Sequence, residues 1–525
     1  MLVDRKNHTR MEAAGMILAT SFDIGKSDVL VNYTDDLAGF VRQAVKKGSS
    51  LDDVERGVLD RLLKMGQAAV ELFLKAQGNG DLGDSVTTEE GTVLHRSPTV
   101  VERPLRTIYG EHAFNAYVYS QGSKKKIELR PIDARLNLPD SKASYLLQEF
   151  SQLFCVEKAF GVGARQFEAV FQQTLSVDSL EDINRAMGEQ AGRFLDSLPL
   201  PPAAEEGAIM VTTADGKGVP LVREDAQKVP AFDKKERPGN RRMATLGCVY
   251  TVDRYVRTPE QIVAALFRDP LVAQPPNRPE ACFKRYRACF AEAGQEGDDA
   301  VPSAYPTWTW IGREVKSRHQ PGQPIVRLMD GQPVLRDAAD ACLDEIVEKL
   351  RATRELQVVD ILDIIHVSGY VWKVAKVFHS HKEHQEAFAQ DRLLRILRGE
   401  VSGVVTGMRR MATQRGLTGD ALEEVNTACN YFEKNAHRMR YDKYLEAGYP
   451  IASGVIEGAC RHVIKDRMEQ GGMRWTLAGA EAMLNVRSVC ASSEWEKFGS
   501  WRQAEEAKRV HPHRALLNIY KGFQA

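Results

Sequence analysis

Apolar positions along this chain change period several times, and those changes set out its elements. From Asp36 to Ala76 the spacing is helical, with Phe40, Val41 and Ala44, then Val54, Val58, Leu59, Leu62 and Leu63, then Ala69, Leu72 and Phe73. The Gly/Asp-rich run Gly78-Asn79-Gly80-Asp81-Leu82-Gly83-Asp84 ends it. Thr107 to Gly110, Ala113 to Tyr119 and Ile127 to Leu129 read as strands, with Lys124-Lys125-Lys126 at a basic hairpin tip. Helix returns from Ser141 to Leu195, broken at Thr174-Leu175-Ser176-Val177, where Asp178 reads as an N-cap and Glu181 completes a capping box. Two helices across a tight break have helix-turn-helix grammar. A plain helical hairpin is the alternative, because Arg185 and Arg193 are offset by Glu181, Asp182 and Glu189.

Leu198-Pro199-Leu200-Pro201-Pro202 to Gly207 reads as a stiff linker and a domain boundary. Ile209 to Ala214 then reads as a strand running into Asp215-Gly216. Met243 to Val252 reads as its antiparallel partner across a basic loop holding Lys234, Lys235, Arg237, Arg241 and Arg242. Pro324 to Met329, a helix over Leu335–Arg354, and Leu356 to Leu362 form a βαβ unit, so those two strands are expected to be parallel. Residues 369–450 are helical and dense in charge, and an amphipathic helix pattern resumes over 453–490.

Composition limits the function classes. The 525 residues are enough for roughly three domains. Formal net charge is zero, so nucleic-acid binding would rest on local segregation of charge. Ala13 to Ala19 is a short apolar run without a basic leader, so no secretory signal is expected, and no stretch approaches the ~20 apolar residues of a membrane span. The eight cysteines form no CxxC pair, and Cys282 and Cys289 fall seven apart on an expected helix. A zinc site or disulfide framework is therefore not expected, and a reducing cytoplasm is.

The chemistry-bearing residues are acids. Asp215 and Asp330 each end an apolar strand-like run and precede glycine, and Glu457 lies one turn into a helix within Ser453-Gly454-Val455-Ile456-Glu457-Gly458. Two carboxylates at strand ends and a third on a later helix are the parts of a two-metal phosphoryl-transfer site holding Mg²⁺, with Mn²⁺ as a substitute. Each has a plainer alternative. Asp-Gly is a common turn pair, and Glu457 could pair with Arg461 four residues on. Asp363 rivals Asp330 as second acid, with His366 three residues later near a scissile phosphate; the alternative is a helix N-cap and a packed histidine. Asp360 is a weaker rival. Lys217, Arg461, Lys465 and Arg467 could meet DNA phosphates, as could Arg409, Arg410, Arg438 and Arg440 in the helical block, or each could be solvated surface. Trp372 could stack on a base or pack in the core. His379, His381 and His384 lack a third ligand type nearby.

Several blocks together resemble a known family. They are Thr213-Ala214-Asp215-Gly216-Lys217-Gly218; Arg241-Arg242-Met243-Ala244-Thr245 with Gly247 and Tyr250; Leu328-Met329-Asp330-Gly331; Asp363-Ile364-Ile365-His366-Val367; and Ala447 through Gly458 with Arg467, Gly471 and Arg474-Trp475. Over roughly residues 100–490 the chain resembles a DDE transposase of the ISKra-type insertion-sequence family, distantly similar to Mutator-like transposases. The resemblance implies an α/β, ribonuclease-H-like catalytic domain with an α-helical insertion. It also implies an enzyme acting on double-stranded DNA, at the element's terminal inverted repeats and the target. A homo-oligomer assembled on DNA in the bacterial nucleoid is the expected form. The organisation expected is a helical region over 1–90, a DNA-binding region over 91–197, a linker over 198–207, a catalytic domain over 208–368 and 451–495, the insertion over 369–450 and a tail over 496–525. One departure is that no Cys/His zinc-type cluster occurs in the N-terminal region. A catalytically silent DNA-binding derivative and a structure-specific nuclease of the same fold are the alternatives.

Overall fold

The computed structural model describes residues 28–122, 124–231, 239–273, 277–292, 301–351 and 356–518. They form two compact units: one holds the described residues up to Leu180 together with those from Gly499 onward, and the other runs from Glu181 to Phe498.

In the first unit the helices Asp28–Lys47 and Leu51–Lys75 are separated at Gly48, whose positive φ lets the chain turn, and Ser50 caps the second by accepting the Asp53 N–H. An antiparallel pair, Val101–Thr107 with Gly110–Ala116, and a small four-stranded sheet follow. The stretch expected to be a tail is part of this unit. Leu516 packs into the cluster of Leu82, Val86, Leu94, Tyr119 and Leu129, and the His511 ring meets the Leu138 carbonyl at 2.8 Å. Leu516 is buried there, so this stretch contributes to the unit's core.

The second unit is built on a five-stranded mixed sheet. Its strands are β1 (Ile209–Pro220), β2 (Arg241–Val252), β3 (Cys282–Phe290), β4 (Ile325–Met329) and β5 (Val358–Leu362), in the order β5-β4-β1-β2-β3. The β1–β2 and β2–β3 pairs are antiparallel, whereas β4 is parallel to both β1 and β5. The hairpin and the βαβ unit expected from the sequence are both present. Cys282 and Cys289 lie on β3, not on a helix. The strand is obscured in the sequence by Lys284, Arg285 and Arg287, of which Arg285 is neutralised by Glu314 at 3.0 Å within the fold.

Every residue of β4 is buried, as a parallel strand covered on both faces requires. One cover is α1 (Ala304–Arg318), whose Trp308, Ile311 and Val315 share a core with Met210, Ala214, Val249, Ile325 and Met329. The crossover from β4 to β5 is α2 (Pro333–Arg351). After β5 come α3 (Ile364–Phe378), α4 (Lys382–Leu397), α5 (Val401–Gln414), α6 (Gly419–Asn435) and α7 (Tyr441–Glu446), which account for the helical block. The chain then returns to the sheet. α8 (Gly454–Ala459) continues through a π-helical turn, Cys460–Lys465, to Met468, and Trp475 exchanges backbone hydrogen bonds with Pro220 and Val222 beyond the end of β1. α9 (Leu477–Ala491) follows. Among the described residues no helix is long and apolar enough to cross a membrane.

Two expectations about the region before β1 are corrected. Residues 198–207 are not a free linker. Glu206 forms a buried 3.0 Å ion pair with Arg318, the Gly207 N–H donates to Thr251, and Arg285 donates to the Pro199 carbonyl. The helix before them, Val177–Asp196, is capped by Ser176, which accepts the Ser179 N–H, and not by Asp178. Its Gly188 lies so close to α9 that a Cβ there would sit 2.3 Å from the Ala482 Cα, and Phe194 packs on Phe498. That face is used for packing, while outward-facing Arg185 is paired with Glu181 and Asp182. The exposed face of this helix carries Asp182, Arg185, Glu189 and Arg193, and its two arginines stand beside acids of the same helix.

The glycine contact gives a test of the packing. Gly188→Ala should lower the unfolding free energy by about 2 kcal/mol or more, as overpacking does. Gly161→Ala, at a helical position with open space around it, should be neutral or stabilising by roughly 0.5–1 kcal/mol. Urea denaturation of the two variants checks both signs.

Candidate active site

Strand register builds the site. Thr212 of β1 pairs with Arg327 of β4, and Met329 of β4 with Leu362 of β5. Extended in step, the same row carries Asp215, Asp330 and Asp363 across three neighbouring parallel strands. Asp215 is not a turn residue, since β1 continues beyond it to Pro220 and Asp215 itself pairs with Leu246. Asp330 follows the last residue of β4, and its carboxylate accepts the Gln332 N–H at 3.0 Å. Asp363 follows β5 and is the N-cap of α3.

Glu457 arrives from the other side on α8. The π turn after it brings the Cys460 thiol to the Asp215 carbonyl, a 3.5 Å contact that seats this helix on β1. Among the described residues, the group of potential ligand atoms lying within 4.8 Å of one another is Asp363, His366 and Glu457. His366 Nε2 is 3.7 Å from Glu457 Oε1. That group joins Glu457 to Asp363, the rival second acid, and to His366; the expected trio of Asp215, Asp330 and Glu457 is not a group within that distance among the described residues. Asp363 is also the most committed of the acids. It is fully buried, one oxygen accepts the Ile365 N–H at 2.9 Å, and the other takes the Ser453 hydroxyl. The N-cap alternative for Asp363 is thus observed, but within reach of the acids.

The acids feel one another. Burial raises the pKa of Asp330, and the charge of Asp215 adds to the rise, against the Gln332 N–H, His366 and Arg438. Burial likewise raises Glu457, with Asp363 and Asp215 adding, and His366 and Lys217 opposing. Asp363 is raised by burial in spite of its hydrogen bonds. Lys217 lies 3.1 Å from Asp215. Burial would lower its pKa, but Asp215, Cys460 and Glu457 outweigh this and raise it. The donor set is hard oxygen carrying excess negative charge, which fits a hard divalent cation.

The helical block supplies residues that the sequence reading missed. The Tyr441 hydroxyl donates to the Leu362 carbonyl at 2.7 Å and the Tyr444 hydroxyl to the Asp360 carbonyl at 3.1 Å. The Ile364 N–H donates to the Ile451 carbonyl. These bonds hold the end of β5 just before Asp363. No local pattern marks the two tyrosines, because their partners are about eighty residues away.

The expected DNA-contacting cations divide into distinct groups. Lys217, Arg241, Arg461 and Lys465 are exposed or half-exposed, with Arg241 paired to Glu469 and Arg461 lying 3.6 Å from Asp466. Arg242 is buried and donates to the Val229, Gly239 and Arg241 carbonyls. Arg467 is fully buried, its guanidinium 4.7 Å from the centre of the Trp475 ring. Arg438 is buried and reaches the Asp330 carbonyl. These three serve the fold, because a guanidinium enclosed by carbonyls or an indole cannot present itself to a phosphate. Lys234, Lys235 and Arg237 lie outside the described residues. Arg409 is paired with Glu433, while Arg410 and Arg440 are exposed. Asp360 is bound by Arg327, and Trp372 packs on Phe267 at 5.8 Å between ring centroids. No protein-family model matches the chain, and no curated protein matches its sequence.

The raised carboxylates set a sign for pH. Their folded-state pKa lies above the unfolded value, so their contribution favours folding at low pH and is lost as pH rises through the folded pKa. A divalent cation should act in the opposite sense, since it binds only the ionised acids. Mn²⁺ or Mg²⁺ should therefore raise Tm at pH 7.5, and the rise should shrink as pH falls, beginning above the ordinary carboxylate range. Asp330→Asn should raise Tm without metal and diminish the metal-induced rise. Differential scanning fluorimetry across pH, with and without the cation, measures both. Ser453→Ala, which strips Asp363 of a buried donor, should cost about 1–3 kcal/mol in denaturant unfolding.

Proposed function

We propose that this chain is a metal-dependent DNA strand-cleaving and strand-joining enzyme of the DDE transposase kind, built on a ribonuclease-H-like sheet. One observation carries the reading: three aspartates occupy one row across adjacent parallel strands, Asp215 within β1 and Asp330 and Asp363 just past the ends of β4 and β5, and a glutamate is returned to them by a helix after a long helical excursion. Three antiparallel strands continued by two parallel ones, with the helices placed after the fifth strand, support the same reading of the fold.

In this reading Asp215, Asp330 and Glu457 would hold two Mg²⁺ ions, and Mn²⁺ could replace them. When bound, such ions lower the pKa of a water nucleophile and stabilise the leaving 3′ oxygen. The rest is the work of the chain's own groups. Asp363 positions: with Ser453 and the start of α3 it fixes the end of β5 beside Asp330. His366, exposed at the edge of the group, can donate to a non-bridging phosphate oxygen. Lys217 balances Asp215 and lies where a backbone phosphate would approach. Exposed Arg461 and Lys465 continue that positive edge along the helix of Glu457. The substrate is double-stranded DNA at the element's terminal inverted repeats, and a freed 3′-OH is the nucleophile toward target DNA in the same site. Positioning and charge neutralisation, rather than covalent chemistry by the protein, are what such a site supplies.

The test is incubation of the full-length protein with the DNA flanking its gene and Mg²⁺, followed by mapping of the cut positions. Cuts at the ends of flanking inverted repeats, and joined products, are expected. Cutting without joining at branched DNA would favour a structure-specific nuclease, and binding without cutting a silent derivative. Asp330→Asn should abolish cleavage while leaving DNA affinity unchanged. Asp363→Asn should lower it about 10–100-fold, as loss of a supporting hydrogen-bonded group does at a metal site. Equal loss in both variants, read by a gel cleavage assay, would remove the distinction drawn between the two acids.

A further inference from the structure

The face of α3 that leaves the acid centre carries His366, Tyr370 and Lys373, spaced by four and three residues and therefore aligned. The His366 and Lys373 side chains are 42% and 58% exposed, with Tyr370 half-buried between them. The Tyr370 ring does not lie loose on the surface. It stacks on Tyr431 of α6, with centroids 4.2 Å apart and planes 23° apart, and Phe432 meets it edge-on at 6.3 Å. Tyr431 is itself pinned against the catalytic strand end. A Cβ on Gly331, the residue after Asp330, would come within 2.5 Å of the Tyr431 ring, so only glycine admits it there. The Lys373 ammonium stands 5.3 Å from the centre of the Tyr370 ring and 3.6 Å from Glu424.

The layers run Gly331, Tyr431, Tyr370, and they end at an ammonium close to solvent. Packing two helices together needs no such order, and α3 already does that work with buried Val367, Val371, Val374 and Phe378. A rigid aromatic ring with a cation beside it, one helical turn from an acid centre, matches the two parts of a nucleotide: a flat base and a phosphate. Stacking on aromatic rings accepts any base, since each has a π face. The ammonium can leave the ring for a phosphate, because its side chain is long and its 3.6 Å separation from half-buried Glu424 is longer than a hydrogen bond.

The geometry points to Tyr370, backed by Tyr431 and flanked by Lys373, as a subsite for one unpaired nucleotide next to the cleaved phosphate, with its base on the ring and its phosphate on the ammonium. The inference rests on the proposed action on DNA and adds that the DNA end is opened when bound.

The test uses full-length protein in EDTA, so that binding is seen without cleavage. The probes are a blunt duplex and a forked duplex of the same sequence, the fork carrying 2-aminopurine at its first unpaired position. The wild type should bind the fork at least about fivefold more tightly than the duplex and quench the 2-aminopurine. Tyr370→Phe should do the same. Tyr370→Leu should lose both the preference and the quench while keeping the wild-type far-ultraviolet circular dichroism, which shows that it is folded. Lys373→Gln should flatten the salt dependence of fork binding by about 0.7 in logarithmic slope, the value for one single-strand phosphate. A fork preference and quench that persist in Tyr370→Leu would overturn the subsite. Wild type that binds both probes equally and without quenching would overturn it while leaving the DNA reading intact. Wild type that binds neither probe would remove both.

Discussion

Like charges on neighbouring strands are the constraint around which this molecule is arranged. Parallel strands lie about 4.8 Å apart, and here one row places Asp215, Asp330 and Asp363 on three of them in succession. Burial makes that row worse, since it weakens the solvent screening that would let three carboxylates coexist. The ends of β4 and β5 are therefore the places where the sheet has most reason to open. The helical block between β5 and α8 answers this directly. Its closing turns bring hydroxyls to the carbonyls of Asp360 and Leu362 and a guanidinium to the carbonyl of Asp330, and the chain entering α8 brings the Ser453 hydroxyl to Asp363 itself. The long helical excursion is thus part of what holds the charged edge of the sheet.

The same arrangement separates the acids by kind. Asp363 has both oxygens occupied by donors of the chain, and its burial is complete. Asp330 sits at the edge of burial and accepts the Gln332 N–H in the turn that follows. Glu457 is placed by the seating of its helix on β1, and His366 faces it at a distance too long for a hydrogen bond. An acid already satisfied organises structure. An acid with repulsion left over is available to a cation.

Much of this was legible in the sequence because it is local. The β1–β2 hairpin and the βαβ unit follow from apolar runs and turn residues within a few dozen positions. What was not legible depends on partners far along the chain. Arg242, Arg438 and Arg467 read as surface cations because a sequence displays charge and not enclosure; carbonyls and Trp475 enclose them. The proline-rich stretch read as a linker because nothing near Glu206 announces Arg318, more than a hundred residues on. β3 was missed because its arginines mask its alternation. The choice between Asp330 and Asp363 stayed open because both end a strand and begin a turn or helix, and only the register shows that they are neighbours.

The π turn at Cys460–Lys465 has a consequence for length. A π turn holds one residue more than an α turn, and a residue in an α-helix advances the phase by about 100°. Upstream of the turn Glu457 must face the acids, and downstream Arg467 must face Trp475. Removing any one residue between them would let the turn close into regular helix and swing one of those side chains a quarter-turn out of place. The segment thus works as a spacer of fixed count, in which residues can be exchanged but none added or lost, and the glutamate's aim is stored in a number of residues as much as in their kinds.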